Sequence, residues 1–154
     1  MICRQEYSVA HADLFVRDMG VAIEFYCDKL GFSIVDDGYI TGPSVRHLSD
    51  GLYETVRLVL LRVSRGGAMI ELQEYQPESA LTRYASEVKP QPAWVSIQVA
   101  NLDLHIEQLS EKGVYPSSDR FSVRLSRGRG CEAVIYRDPD RNGLEFLEAQ
   151  GNEP

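Results

Sequence analysis

Basic residues and long apolar runs are what this chain of 154 residues lacks. Lys and Arg total 16 against 23 Asp and Glu, a net charge of -7, which excludes the clustered cationic face that nucleic acid or an anionic membrane surface requires. No apolar stretch approaches the roughly 18 residues of a membrane span. Met1 to Tyr7 is too short and polar for a signal peptide, so the expected location is cytoplasmic. Cysteine is scarce as well. Cys3, Cys27 and Cys131 are odd in number and far apart, with no CxxC spacing, which excludes a disulfide framework. They read as reduced thiols, and no neighbouring base or cationic cluster marks one as a nucleophile.

What is present is one pattern written twice. The run His11-Ala12-Asp13-Leu14-Phe15-Val16-Arg17-Asp18 opens the first half, and Trp94-Val95-Ser96-Ile97-Gln98-Val99-Ala100-Asn101 opens the second. Each is followed by a helical stretch and later by a glutamate-bearing strand, Ile70-Glu71-Leu72-Gln73-Glu74 or Leu144-Glu145-Phe146-Leu147-Glu148. Two copies are too few for a solenoid and fit a pseudo-symmetric pair. With 44% hydrophobic residues the chain has material for a real core. The reading is an α+β protein, one domain over residues 1–154, built of two βαβββ modules at about 5–76 and 93–149.

Alternation predicts a strand from Ser8 to Val16, with Val9, His11, Asp13 and Phe15 on one face and Ala10, Ala12, Leu14 and Val16 on the other. Asp18 caps a predicted helix from Met19 to Leu30, which Gly31 stops. Phe32 to Val35 begins the next strand, after which Gly38, Gly42, Pro43 and Gly51 predict a loop from Asp36 to Tyr53. Glu54 to Val63 and Ala68 to Tyr75 form a predicted hairpin around Ser64-Arg65-Gly66-Gly67. Residues Pro77 to Pro92 read as the connection between modules, with a short helix over Ser79 to Val88. The second module repeats the plan: strand Ala93 to Val99, a cap at Asn101 or Asp103, a helix to about Lys112, and Gly113 as its stop. Strands follow at Phe121 to Leu125, Cys131 to Arg137 and Leu144 to Ala149, with turns at Ser126 to Gly130 and Asp138 to Gly143 and a frayed tail from Gly151.

In the closing strands, parity sets Glu71 and Glu145 on the face opposite Ile70, Leu72, Leu144 and Phe146. Carboxylates on a half-enclosed face are costly unless paired or metal-bound. By the same parity Phe15, Gln73, Tyr75, Ser96 and Gln98 line that face and can orient a small ligand. His11 and Trp94 occupy equivalent positions in the two halves. Arg120, Arg124, Arg127 and Arg129 form a local basic cluster that reads first as a solvated hairpin. His47, in the predicted loop, and His105, on the predicted helix, read as solvated.

Residues His11 through Phe32, with Phe25-Tyr26 and Leu30-Gly31-Phe32, and Arg137-Asp138-Pro139-Asp140 through Glu145-Phe146, resemble the vicinal oxygen chelate superfamily. That group includes glyoxalase I, methylmalonyl-CoA epimerase, extradiol dioxygenases, fosfomycin-resistance enzymes and bleomycin-binding proteins. The resemblance covers nearly all of residues 8–149. It implies an open, barrel-like mixed sheet lining a cleft, helices outside, a homodimer, and a divalent metal such as Mn, Fe, Ni, Co or Zn. It assigns ligands to His11, Glu71 and Glu145. The remaining ligand position is Trp94, whose indole has only an N–H donor and cannot bind a cation. The implied function is a glyoxalase-like lyase or isomerase acting on a small substrate with vicinal oxygens. Glu145 and Glu71 would move its proton, while Trp94 and Arg124 join the ligand-contacting set. The alternative is metal-free binding of the bleomycin-resistance type, an acidic aromatic groove taking a cationic drug. Extradiol oxygen insertion needs a second histidine at the matching positions.

Overall fold

Each half starts with a strand and a side-chain-capped helix, and the two starts are built alike in the computed structural model, which describes residues 10–49, 51–64, 67–76, 93–124 and 130–149. Strand β1 (His11–Phe15) leads to α1 (Met19–Ile23), which widens into a π-helical stretch, Glu24–Lys29. Strand β5 (Trp94–Gln98) leads to α3 (Leu102–Glu111). Asp18 accepts the Val21 amide at 3.0 Å and Asn101 accepts the Leu104 amide at 2.8 Å. The first amide of each helix is held from a distant strand: Met19 donates to Glu74 at 2.9 Å, and Leu102 to Glu148 at 2.6 Å. A carboxylate at a helix N-terminus satisfies an orphan donor and opposes the positive end of the dipole. Gly31 and Gly113 end the helical stretches at φ 79° and 74°, a left-handed turn that glycine adopts without Cβ strain.

The remaining strands are β2 (Ser33–Thr41), β3 (Thr55–Arg62), β4 (Met69–Gln76), β6 (Phe121–Arg124), β7 (Gly130–Arg137) and β8 (Gly143–Ala149), with α2 (Pro43–Leu48) after β2. They make two four-stranded sheets ordered β1-β4-β3-β2 and β5-β8-β7-β6. The opening strand of each half lies parallel to its closing strand, and the other pairs are antiparallel. This is the expected α+β plan of two βαβββ units, as two mixed sheets that are not closed into a barrel.

The expected loop over 36–53 is largely regular structure. β2 runs through Asp36, Asp37 and Gly38 to Thr41 because β3 pairs with it along that length, and Arg57 of β3 holds Asp37 at 2.8 and 3.0 Å. Ladder pairing overrides the weak strand propensity of those residues. Pro43 then starts α2 at a position where its missing N–H costs nothing, after Gly42 turns the chain at φ 84°. The predicted connection 77–92 with its helix, Ser8 and Val9, the turn residues Arg65 and Gly66, the 125–129 part of the second turn, Cys3 and the tail lie outside the described residues.

One apolar cluster joins the halves: Leu14, Tyr26, Ile70 and Leu72 from the first, with Leu102, Tyr136, Leu144 and Phe146 from the second. A buried polar knot locks it. Asp138 is 4% exposed and Asn142 2%. The Asp138 carboxylate accepts the Tyr26 hydroxyl at 2.9 Å, the Asn142 amide N–H at 2.7 Å, the Asp140 N–H at 2.9 Å and the Asn142 side-chain nitrogen at 2.7 Å. Asn142 in turn donates to the Phe15 carbonyl at 3.0 Å and accepts from the Ala93 N–H at 2.9 Å, tying the end of β1 to the start of β5. Arg17 adds an outer tie to Asp140 at 2.6 Å. Burial raises the Tyr26 phenol, with Asp138 beside it, and burial also raises the Asp138 carboxyl against its hydrogen bonds. Removing one member of such a network strands the others in a dry interior. Asp138→Ala is expected to cost about 3 kcal/mol of unfolding free energy in urea, and Tyr26→Phe about 1 kcal/mol.

His105, expected to be solvated, packs inward instead. Its ring centroid lies 4.1 Å from that of Phe146 and its Nε2 is buried without a partner. The outward reading of α3 fails because the apolar face of a helix one turn after its cap is wide enough to take in the imidazole. Burial lowers the His105 pKa, so the folded state binds fewer protons than the unfolded chain. Its contribution is therefore complete above the unfolded value of about 6.5 and is lost as the pH falls through it. In thermal melts from pH 7 to pH 5, His105→Leu is expected to lose less stability than the wild type.

Candidate functional site

The parallel register of β1 and β4 pairs His11 with Met69, Asp13 with Glu71 and Phe15 with Gln73. All six side chains share the face opposite Leu14, Ile70 and Leu72, which the core covers. On that face His11 Nε2 lies 3.3 Å from an Asp13 oxygen and 4.0 Å from a Glu71 oxygen. Among the described residues, these three form a group whose ligand atoms all lie within 4.8 Å of one another. The Glu71 side chain is only 16% exposed. Its other oxygen accepts from the Gln73 amide at 3.0 Å, and Gln73 accepts the Tyr75 hydroxyl at 3.1 Å. This relay fixes the carboxylate's orientation through a buried glutamine.

Tyr75 is itself braced by rings. It stacks on Phe15 at 5.7 Å and packs against Tyr53 at 4.9 Å. Burial, and then the Asp13 and Glu71 charges, raise the Tyr75 pKa, so the phenol stays protonated and serves as the relay's donor. The first half therefore presents an acidic imidazole-bearing cluster beside an aromatic wall.

In the second half β5 and β8 pair Trp94 with Gly143, Ser96 with Glu145 and Gln98 with Leu147. Glu145 thus occupies the place of Glu71, Ser96 that of Asp13, and Trp94 that of His11. The Ser96 hydroxyl donates to Glu145 at 2.6 Å. Trp94 is 55% exposed, and the Arg137 guanidinium carbon lies 4.3 Å from its ring centroid. A cation already covers an indole face that a cationic ligand would need.

The expected residues thus separate into two sets. Phe15, Gln73 and Tyr75 gather around His11 and Glu71, whereas Trp94, Ser96, Gln98 and Glu145 line the equivalent face of the other sheet. Among the described residues Asp13 completes a three-donor group with His11 and Glu71, while Glu145, the third ligand the resemblance implies, lies on the equivalent face of the second sheet. The signal was there: Asp13 has the parity of His11 two residues away. Of the basic cluster, Arg120 is held by Asp103 at 2.6 Å and Glu132 at 3.3 Å, which favours its structural reading. The side chains of Arg124 and His47, and all of Arg127 and Arg129, lie outside the described residues.

The donor set suits a divalent cation. Ligands about 2.1 Å from one ion lie about 3.0 to 4.2 Å apart as the angle between them opens from a right angle to a straight line. The two His11 separations fall in that interval. One imidazole with two carboxylates suits a borderline or hard ion.

Residues 8–146 match the Glyoxalase/Bleomycin resistance protein/Dioxygenase superfamily. No curated protein matches the chain. Among solved structures, a glyoxalase family protein from Bacillus cereus is 18% identical with a TM-score of 0.67, covering 98% of this chain and 99% of that one. The antibiotic-binding protein TnmS3 from Streptomyces sp. CB03234 is 16% identical with a TM-score of 0.66, covering 96% and 99%. A superfamily member from Sphaerobacter thermophilus is 23% identical with a TM-score of 0.60, covering 92% and 98%. At these identities the likeness establishes the fold.

Proposed function

The chain belongs to the Glyoxalase/Bleomycin resistance protein/Dioxygenase superfamily, and on that premise we propose a metal-dependent lyase or isomerase acting on a small molecule with vicinal oxygens. The observation that carries the reading is the meeting of His11, Asp13 and Glu71 on one sheet face. These three side chains would hold the ion. When bound, it would supply Lewis-acid stabilisation of charge developing on a substrate oxygen. Gln73 and Tyr75 keep Glu71 in place, and the Phe15, Tyr53 and Tyr75 rings form an apolar wall on one side. Glu145, with one oxygen held by Ser96, keeps the other available to accept a proton.

A homodimer is part of this reading, since both sheets leave a strand-lined face that a second copy can complete. Free Cys27 and Cys131 suit a reducing cytoplasm. The second reading is binding without chemistry. Trp94 in a ligand position favours it, as does the resemblance in fold to TnmS3, an antibiotic-binding protein.

Calorimetric titration with Mn2+ separates the two. About one ion per chain is expected, with affinity at least tenfold weaker in Asp13→Asn and in Glu71→Gln. Glu145→Gln is expected to suppress turnover of 2-hydroxycarbonyl and 2-oxoaldehyde compounds. A wild type that takes up no Mn2+ at millimolar concentration would leave ligand binding alone as the function. Light scattering is expected to give twice the 17.3 kDa chain mass.

A further inference from the structure

We propose that Trp94, Arg137 and Gly143 form a carboxylate-recognising subsite, so that the small molecule bound on the second sheet is an organic acid. The inference rests on the reading that ligand lies on these sheet faces, and it adds the ligand's charge and the residue that reads it.

Comparing the halves position by position shows how the subsite is made. In the first sheet Arg62 pairs with Met69, which pairs with His11. In the second, Arg137 pairs with Gly143, which pairs with Trp94. The arginine is common to both, whereas the methionine becomes glycine where the histidine becomes tryptophan. Gly143 is not among the glycines at positive φ, so the backbone does not demand it. Glycine weakens a strand interior unless something approaches closely. Here that something is the indole: a Cβ on Gly143 would lie 2.5 Å from two Trp94 ring atoms. The missing side chain lets the ring lie down across the strand, and the flattened ring carries the Arg137 guanidinium.

Arg137 is exposed, and one Nη1 hydrogen is donated to the Arg141 carbonyl at 3.2 Å. That bond and the indole fix the plane of the guanidinium while leaving its Nε–Nη2 edge for a ligand. Among the described residues no Asp or Glu makes an ion pair with it, although carboxylates outnumber cations in the chain. Asp138 and Asp140, one and three residues further along, are engaged by Tyr26, Asn142 and Arg17. An oriented guanidinium edge with no acidic partner among the described residues matches a carboxylate in bidentate geometry, which an ammonium would not. Glu145 follows two residues along the same face from Gly143. Its charge repels the acid's carboxylate and favours the un-ionised part of the ligand on that side, toward the group proposed to take up a proton.

Trp94 is the single tryptophan of the chain, so its emission reports this place alone. Titration of the whole protein with benzoate, against benzamide and benzamidine at matched ionic strength, is expected to give a saturable change for benzoate only. Arg137→Gln should weaken benzoate at least tenfold, Arg137→Lys should fall between, and Gly143→Ala should weaken it severalfold by lifting the ring. His11→Ala should leave benzoate affinity within twofold while abolishing Mn2+ uptake, which distinguishes failure of this subsite from failure of the metal reading. Benzamidine binding as tightly as benzoate, an unchanged Arg137→Gln, or no saturation by about 20 mM would each overturn the proposal.

Discussion

The buried Asp138 carboxylate is the contact on which the arrangement of the two halves depends. A charge taken out of water is tolerable only when its lone pairs are filled, and here donors come from Tyr26 in the first half and from the turn's own backbone and Asn142. Because Asn142 also grips the last residue of β1 and the residue before β5, the network sets where the two ligand-bearing strands end and begin. The apolar cluster supplies the larger share of stabilisation without direction, and the knot supplies position.

Features written in consecutive residues were legible in the sequence. The caps Asp18 and Asn101, the stops Gly31 and Gly113, and the alternation that turns Glu71 and Glu145 away from the core all rest on local chemistry. Long-range partners were not. Nothing local marks Glu74 and Glu148 as caps, since the helix amides they hold lie 55 and 46 residues away. The start of β2 at Ser33 to Val35 is local, but its continuation through Asp36, Asp37 and Gly38 to Thr41 comes from β3 across the ladder. The inward placing of His105 is likewise not local, because the side of a short helix that becomes buried depends on what packs beneath it, here Phe146.

The candidate site shows the same division. Parity identified the face and most of its side chains, and Asp13 could have been added from the same rule. Which donors meet is a matter of register, and register pairs Asp13 with Glu71 but Ser96 with Glu145. A single change of residue type between the halves thus turns a three-donor cluster in one into a hydroxyl–carboxylate pair in the other. Duplicated scaffolding leaves each half able to specialise, because the caps and core contacts that maintain the strands lie on the opposite face.

The knot also bears on the order of folding. Its ties join residues separated by 112 and 127 positions, whereas the register of each sheet is set inside its own half. Closing so long a loop costs entropy that is recovered only once both halves are nearly formed. The contact therefore belongs to the late side of the folding barrier. Its strength governs how slowly the assembled protein comes apart, leaving the speed of its assembly to the local hairpins and capped helices.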